Sequence, residues 1–254
     1  MRACFDDYVQ SFAKEGVGLA APLILKQQHS ERVAQECREL SSGLGWPEGL
    51  QRSAEALGLL HDLGRFSQFA QYHTFADGSS VDHGERGYEI ASRCKQLSRL
   101  PDAERTAILE GIRHHNDRRI LEELDGQSMD FLRLIRDADK LDIYRVVLEA
   151  IDLDGFQELP KMLPQINLQR RPSPEILDEL LIHQSCSFER LRTLGDFLMI
   201  QLSWIYDFNF PMALRQVHDR EIPTRLLKHV EGDARCAEIL EKVQRFIRDR
   251  LARR

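Results

Sequence analysis

The sequence predicts an all-α protein, a helical bundle without a sheet, on three observations. Apolar residues recur at helical spacing in most segments, for example between Leu132 and Leu148 and between Ile176 and Leu198. Runs that alternate apolar and polar residues, as half-buried strands do, are scarce. Clusters of glycine, serine and proline divide the 254 residues into roughly seven or eight helical segments.

These clusters mark the boundaries between the predicted helices. They lie at Gly43–Gly49, Asp77–Ser80, Gly126–Ser128 and Leu159–Pro164. We expect His61 and Asp62 near the end of a central helix, and His83 at the start of the helix that follows the second cluster. Further on, Ser173-Pro174-Glu175 supplies an N-cap, a first-turn proline and a first-turn acid, which predicts a long helix to about Asp207.

The length of the chain is long for one domain and short for two. We expect residues 1–158 to form the core domain and residues 159–254 to form a helical C-terminal extension packed on it. The proline-containing stretch Leu159–Pro164 would join them, because it interrupts the helical pattern.

Composition narrows the class of function. The hydrophobic share of 42% and the charged share of 30% are ordinary for a globular protein. A net charge of −6 disfavours a nucleic-acid polymer as partner, because such proteins need a basic surface. No apolar run approaches the ~20 residues of a membrane span, and the N-terminus does not resemble a signal peptide. The five cysteines are widely spaced and odd in number, which fits reduced thiols. We therefore expect a cytoplasmic protein that acts on a small substrate.

His61 and Asp62 lie side by side inside the apolar run Leu57–Phe66. An imidazole and a carboxylate are costly to bury without partners, so each must have one that compensates. A divalent cation would satisfy both, since a neutral nitrogen and an anionic oxygen are both metal ligands. Two adjacent residues cannot close a site by themselves, so other helices must supply the rest. The candidates are His29, His83, His114, His115 and Asp139.

The order of these residues resembles the HD-superfamily metal-dependent phosphohydrolases, whose signature is H…HD…D on an all-helical domain. Here the signature maps onto His29, His61-Asp62 and Asp139, within roughly Ala20–Ala150. Asp137 and Asp142 compete for the last position, but the spacing of Asp139 from Leu132 and Ile135 places it on an apolar stripe, whereas Asp137 is expected to be solvated or salt-bridged.

Three further histidines make the resemblance closer to members with two metals, including the HD-GYP phosphodiesterases. Their HDIGK-like and HH segments are similar to HDLGR, which starts at His61, and to RHHND, which contains His114 and His115. No GYP follows this pair, so the cyclic dinucleotide hydrolysis typical of HD-GYP proteins is disfavoured. Arg65 also occupies a position at which some other members have an acid.

The resemblance implies a site with two divalent transition metal ions, from Mn, Fe, Ni, Co or Zn, with Mg as an open alternative. One ion would be held by His29, His61, Asp62 and Asp139, and Asp62 would bridge to a second held by His83, His114 and His115. A metal-activated hydroxide would then cleave a nucleotide or another small phosphoester. Arg65 and Lys140 are candidates for contacts with the phosphate, although Arg65 fits a helix C-terminal cation near Gly64 equally well.

Two interpretations from other classes stay open at this point. Some HD-fold proteins with a similar residue series use a di-iron pair to activate oxygen. Alternatively, the domain is a non-catalytic module that binds a metal or a nucleotide for regulation. The second HD dipeptide, His218-Asp219, has no partner series after it and is interpreted as a solvated helix face. Homo-oligomerisation is also left open.

Overall fold

The computed structural model describes residues 1–120, 123–163 and 165–252. This part of the chain contains α-helices and short 3-10 turns and no β-strand, which confirms the all-α prediction. The helices are α1 (Arg2–Gln10), α2 (Ala21–Gly43), α3 (Glu48–Leu60), α4 (Leu63–Tyr72), α5 (His83–Ala91), α6 (Asp102–His114), α7 (Gly126–Asp154), α8 (Leu159–Met162), α9 (Pro174–His183), α10 (Leu194–Ser203), α11 (Pro211–Asp219), α12 (Ile222–Lys228) and α13 (Arg235–Ala252). None of these helices combines the length and the apolar character that a membrane span requires.

The chain forms two compact units, Met1–Asp142 and Ile143–Arg254, with the boundary inside α7. The first unit contains every candidate metal ligand that the sequence predicts. The second unit contains α8 to α13 and the C-terminal part of α7. The predicted division after residue 158 stays a prediction.

Local sequence explains where α2 and α3 begin and end. Pro22 lies in the first turn of α2, and the helix ends at Gly43, after which Gly45 adopts the left-handed conformation with φ 73°. Pro47 then precedes α3, whose first turn contains the acid Glu48. The predicted break at Gly43–Gly49 is therefore confirmed.

His61 and Asp62 form a corner between two helices. α3 ends at Leu60, α4 begins at Leu63, and Asp62 has φ −98° and ψ 17°, outside the helical range. His61 thus lies directly after the last turn of α3, as the sequence predicted for the end of a central helix. The corner turns the two side chains toward the neighbouring helices α2 and α5.

Glycines allow the helices around this corner to pack at backbone distance. A Cβ at Gly58 of α3 would lie 2.7 Å from the Ala34 Cα of α2. A Cβ at Gly64 of α4 would overlap the carbonyl oxygen of His83 and lie 2.9 Å from the Gly87 nitrogen of α5. Because the obstructing atoms are backbone, they cannot move aside as a flexible side chain would.

The long helix expected from Ser173 to about Asp207 is wrong. α9 ends at His183, since Gln184 adopts the left-handed conformation with φ 54°. A new helix, α10, starts after Thr193, whose side chain accepts from the Asp196 backbone in a capping box. The sequence TLGD carried this signal. The Leu159–Pro164 break contains the short helix α8, and Pro164 lies outside the described residues.

Gly64→Ala should lower the free energy of unfolding by about 1–3 kcal/mol, because the added methyl group must push α4 away from the backbone of α5. Urea denaturation of the full chain measures this change. Gly49→Ala, in open space on α3, is the matched control and should leave stability unchanged or raise it. Equal stability of the two variants would contradict the close contact.

Candidate metal centre

Six of the seven predicted ligands meet in the first unit. They come from the interior of α2, the corner between α3 and α4, the start of α5, the residue after α6 and the interior of α7. They are His29, His61, Asp62, His83, His115 and Asp139. All but Asp139 are buried, and the Asp139 side chain keeps 21% of its surface exposed.

The Asp62 carboxylate lies between two sets of histidines. Its Oδ2 atom is 3.7 Å from Nε2 of His29 and 3.7 Å from Nε2 of His61. Its Oδ1 atom is 3.5 Å from Nε2 of His83 and 3.7 Å from Nε2 of His115. Each oxygen of one carboxylate therefore faces its own pair of imidazole nitrogens.

Asp139 belongs to the first of these two sides. Its Oδ1 atom lies 3.1 Å from Nε2 of His29 and 3.8 Å from Nε2 of His61. Two groups have ligand atoms that all lie within 4.8 Å of one another, namely His29 with His61 and Asp139, and His61 with Asp62 and His115. Both groups have the size and the nitrogen and oxygen donors of a metal site.

The four clustered histidines share one orientation. Nδ1 of His61 lies 2.8 Å from the Gly58 carbonyl oxygen, and Nδ1 of His115 lies 2.8 Å from the Ile112 carbonyl oxygen. A carbonyl oxygen only accepts, so these Nδ1 atoms carry a proton, and the Nε2 atom of each ring faces the cluster.

The other two rings donate Nδ1–H to carboxylates. His83 donates to Asp77 Oδ2 at 2.7 Å, and His29 donates to Asp142 Oδ2 at 2.6 Å. Metal-binding histidines usually have such an outer partner, which fixes the ring and raises its basicity. Asp142 also accepts from Arg32 Nε at 2.6 Å, so this carboxylate is itself anchored.

Two observations show that the residues fit a bound cation. Nε2 of His61 is buried and has no hydrogen-bond partner among the described residues. Nε2 of His83 and Nε2 of His115 lie 3.0 Å apart, although both are acceptors when Nδ1 carries the proton. Two lone pairs at this distance repel each other unless a cation or a proton lies between them.

Electrostatics keep His61 and His83 neutral and Asp62 charged, and act in the opposite direction on His29. Burial lowers the pKa of His61 and of His83 to about 4, so both rings are neutral near pH 7, as a ligand must be. Burial raises the pKa of Asp62. Lys26 and the neighbouring histidines lower it by more than burial raises it, so the net pKa is well below its usual value. For His29, burial and Lys26 lower the pKa, but Asp139 and Asp142 raise it more.

Lys26 is a part of this centre that sequence reasoning missed. Its Nζ atom donates to Asp62 Oδ2 at 2.7 Å and lies 5.7 Å from the centre of the Phe75 ring. Its side chain keeps 24% of its surface exposed, whereas the Asp62 side chain keeps 4%. The only signal in the sequence was its position one helical turn before His29.

Asp77 is a second functional residue that the sequence did not reveal. Its carboxylate accepts from His83, from Arg65 at 2.9 Å and from Gln68 at 2.8 Å. In the sequence, Asp77 is part of an Asp-Gly turn and has no further mark. Asp142 appeared there as a competing ligand, but the structure places it behind His29.

The structure does not bring His114 into the cluster, and this part of the expected ligand set needs correction. Its Nδ1 atom lies 2.7 Å from Asp117 Oδ2, and its Nε2 atom lies 3.3 Å from Glu110 Oε2. Neighbouring residues at a helix end point about 100° apart, so only one member of the pair can face Asp62. His115 is that member.

Arg65 was expected either to contact phosphate or to lie at the C-terminus of a helix. It lies in the first turn of α4, so its interpretation as a helix C-terminal cation is wrong. Its guanidinium donates to Asp77, to Gln68 at 3.0 Å and to the Phe75 carbonyl oxygen, and its Nε atom lies 3.6 Å from Asp62 Oδ1. These contacts make it a residue that positions Asp77.

The remaining candidates lie as follows. Lys140 follows Asp139 on α7 and is half-buried. Asp137 was expected to be either solvated or salt-bridged. It is fully buried, so the first of these two expectations is wrong. His218 and Asp219 lie on α11 with exposed side chains.

Residues 27–144 match the HD domain family. The matched segment includes all six clustered residues, and the chain therefore carries an HD domain. HD domains are in general metal-dependent phosphohydrolases, which agrees with the His and Asp groups found here. The match does not show a relation to the HD-GYP proteins. No curated protein and no solved structure matches the chain.

Asp62→Ala should abolish metal binding, because it removes the carboxylate that both histidine pairs face. The loss should exceed the ~10–100-fold change typical of an outer-sphere substitution. Elemental analysis and metal titration of the purified chain measure it. His218→Ala, in the exposed second HD dipeptide, is the control and should keep the metal content of the unmodified protein. Similar metal content in both variants would refute the assignment.

Proposed function

We propose that the protein is a metal-dependent phosphohydrolase that cleaves a small phosphorylated substrate, such as a nucleotide, at the cluster around Asp62. The observation that carries this proposal is the division of one buried carboxylate between two pairs of imidazole nitrogens. A single ion would need only one of these pairs. Centres with two metals are well suited to phosphoester cleavage.

The residues divide into two ligand sets. The first is His29, His61, Asp139 and Oδ2 of Asp62, and the second is His83, His115 and Oδ1 of Asp62. His114 is left out because its ring is engaged by Asp117 and Glu110. Neutral imidazoles and carboxylates suit Mn, Fe, Co, Ni and Zn. The second set has fewer protein ligands, which favours it as the side that takes water and substrate.

Divalent ions at such a site lower the pKa of a water molecule and neutralise the oxygens of the phosphate group. The chain itself does the positioning. Asp77 and Asp142 hold the rings of His83 and His29 by their Nδ1–H groups, so that each Nε2 atom stays directed at the cluster. Arg65 in turn holds Asp77.

Lys26 is the residue of the cluster best placed to contact a phosphate group. Its ammonium lies next to Asp62 Oδ2, and its side chain is partly exposed. An ammonium is a mobile point charge that pairs well with phosphate oxygens. The guanidinium of Arg65 is already engaged by Asp77, Gln68 and Phe75. We therefore transfer to Lys26 the phosphate contact expected of Arg65, and keep Lys140 as a further candidate.

Elemental analysis of freshly purified protein, followed by a substrate screen, tests the proposed function. The screen covers phosphomonoesters, phosphodiesters and nucleoside triphosphates with Mn²⁺, Fe²⁺, Ni²⁺, Co²⁺ and Mg²⁺. Metal-dependent release of phosphate that is lost in Asp62→Ala supports the proposal. Turnover that requires dioxygen and bound iron would instead support the di-iron oxygenase. Bound metal without turnover of any phosphoester would favour the regulatory module.

The double variant His83→Ala/His115→Ala should lower the metal content from near two ions per chain toward one. The second ligand set loses both its nitrogens, whereas His29, His61, Asp62 and Asp139 still hold the first ion. Elemental analysis gives the stoichiometry, and phosphate release should fall with it. One tightly bound ion in the unmodified protein, even with excess metal, would refute the proposal of two ions.

Lys26→Met should weaken inhibition by inorganic phosphate about 10-fold or more, since a charge-assisted hydrogen bond is lost. Metal content should not fall, because the substitution removes a cation that competes for Asp62. Lys26→Arg should restore part of the phosphate affinity. Lys242→Met, which removes an exposed lysine paired with Glu238 on α13, is the control. Unchanged phosphate inhibition in Lys26→Met would contradict the phosphate contact.

A further inference from the structure

Two cysteines that are distant in the sequence have their sulfur atoms in contact. Cys4 lies on α1, and Cys94 lies in the turn after α5, 90 residues later. The Cys4 Sγ atom donates to Cys94 Sγ at 2.7 Å, and the Cys94 Sγ atom donates to Gln96 Oε1 at 3.2 Å. Both residues belong to the first unit, so the contact lies inside one compact body.

Cys4 is the more exposed residue of this pair. Cys4 is half-buried, and Cys94 retains 7% of its surface. A small oxidant can therefore approach the pair, whereas Cys37 is fully buried inside α2. The two thiols also stand outside the proposed metal centre, since their hydrogen bonds within the described ranges run to each other and to Gln96.

We propose that Cys4 and Cys94 form a disulfide, reducible by dithiols, when the protein is exposed to hydrogen peroxide. One thiol, as its thiolate, attacks a peroxide oxygen, the O–O bond breaks, and a sulfenic acid and one water form. The second sulfur then attacks the sulfenic sulfur, the S–S bond forms, the S–O bond breaks, and a second water leaves. The two sulfurs together lose two electrons and two protons, which the peroxide takes up.

Burial of the Cys4 thiol makes the reaction dependent on pH. Burial, together with the hydrogen bond to Cys94, raises the pKa of the Cys4 thiol to about 12, so Cys4 keeps its proton near pH 7. Because the attacking form is a thiolate, the reaction should accelerate as the pH rises.

The disulfide would tie the N-terminal helix to the helices that carry the metal centre. On α1, Phe5 and Tyr8 pack edge-on against Phe66 of α4, with ring centres 6.0 and 6.3 Å apart. α4 starts directly after Asp62, and α5, which ends shortly before Cys94, starts at His83. The closed loop would contain these elements and α2, so oxidation should stabilise the unit as a whole.

The test treats the full-length protein with hydrogen peroxide, denatures it, alkylates the remaining thiols and maps the peptides by mass spectrometry. We expect a Cys4–Cys94 peptide pair that is lost after reduction with dithiothreitol. Thermal melting should shift upward by about 5–10 °C in the oxidised protein, given the long loop that the bond closes.

Two variants give the controls. Cys4→Ser should abolish the peptide pair and the melting shift, and should let Cys94 proceed to sulfinic or sulfonic acid. Cys236→Ser, in the second unit, should leave both unchanged. The proposal is overturned if both Cys4 and Cys94 of the unmodified protein remain fully alkylatable after peroxide treatment, or if Cys94 over-oxidises without pairing. It is independent of the proposed hydrolysis, since no readout involves a substrate.

Discussion

The rest of the first unit depends on one buried carboxylate, that of Asp62, which has 3% of its surface exposed. A charge in this position is tolerated only when it is paired and hydrogen-bonded. The chain meets this requirement with cations at both oxygens, Lys26 on Oδ2 and Arg65 near Oδ1, and with histidines on both sides. α2, α5 and the residue after α6 are arranged around the corner so that these partners converge on it.

Precision at the centre comes from the groups behind the ligands. Carbonyl oxygens of the preceding helical turn hold His61 and His115, and carboxylates hold His29 and His83. Because Gly64 has no side chain, the backbone of His83 can approach the corner. A histidine cluster oriented in this way keeps its lone pairs directed at a common point, which is what a metal ion requires.

Much of the site could be predicted from the sequence, because adjacent polar residues inside an apolar run need partners. The series from His29 to Asp139 contains all six clustered residues, and the helical spacing of the apolar residues predicts the fold. Lys26, Asp77 and the outer role of Asp142 could not be predicted, since their contacts with Asp62, His83 and His29 depend on how the helices pack. The break between α9 and α10 was missed because a continuous apolar pattern concealed the capping box at Thr193.

By itself, the sequence determined the helical class, the order of the candidate ligands and the resemblance to the HD superfamily, since all three depend on spacing along the chain. Tertiary structure decided which residue of the His114-His115 pair faces Asp62, where Arg65 donates, and that Cys4 touches Cys94. The physical reason is the same in each case. These contacts depend on how helix ends are directed in space, and residues as far apart as His29 and Asp142 meet only when the helices pack.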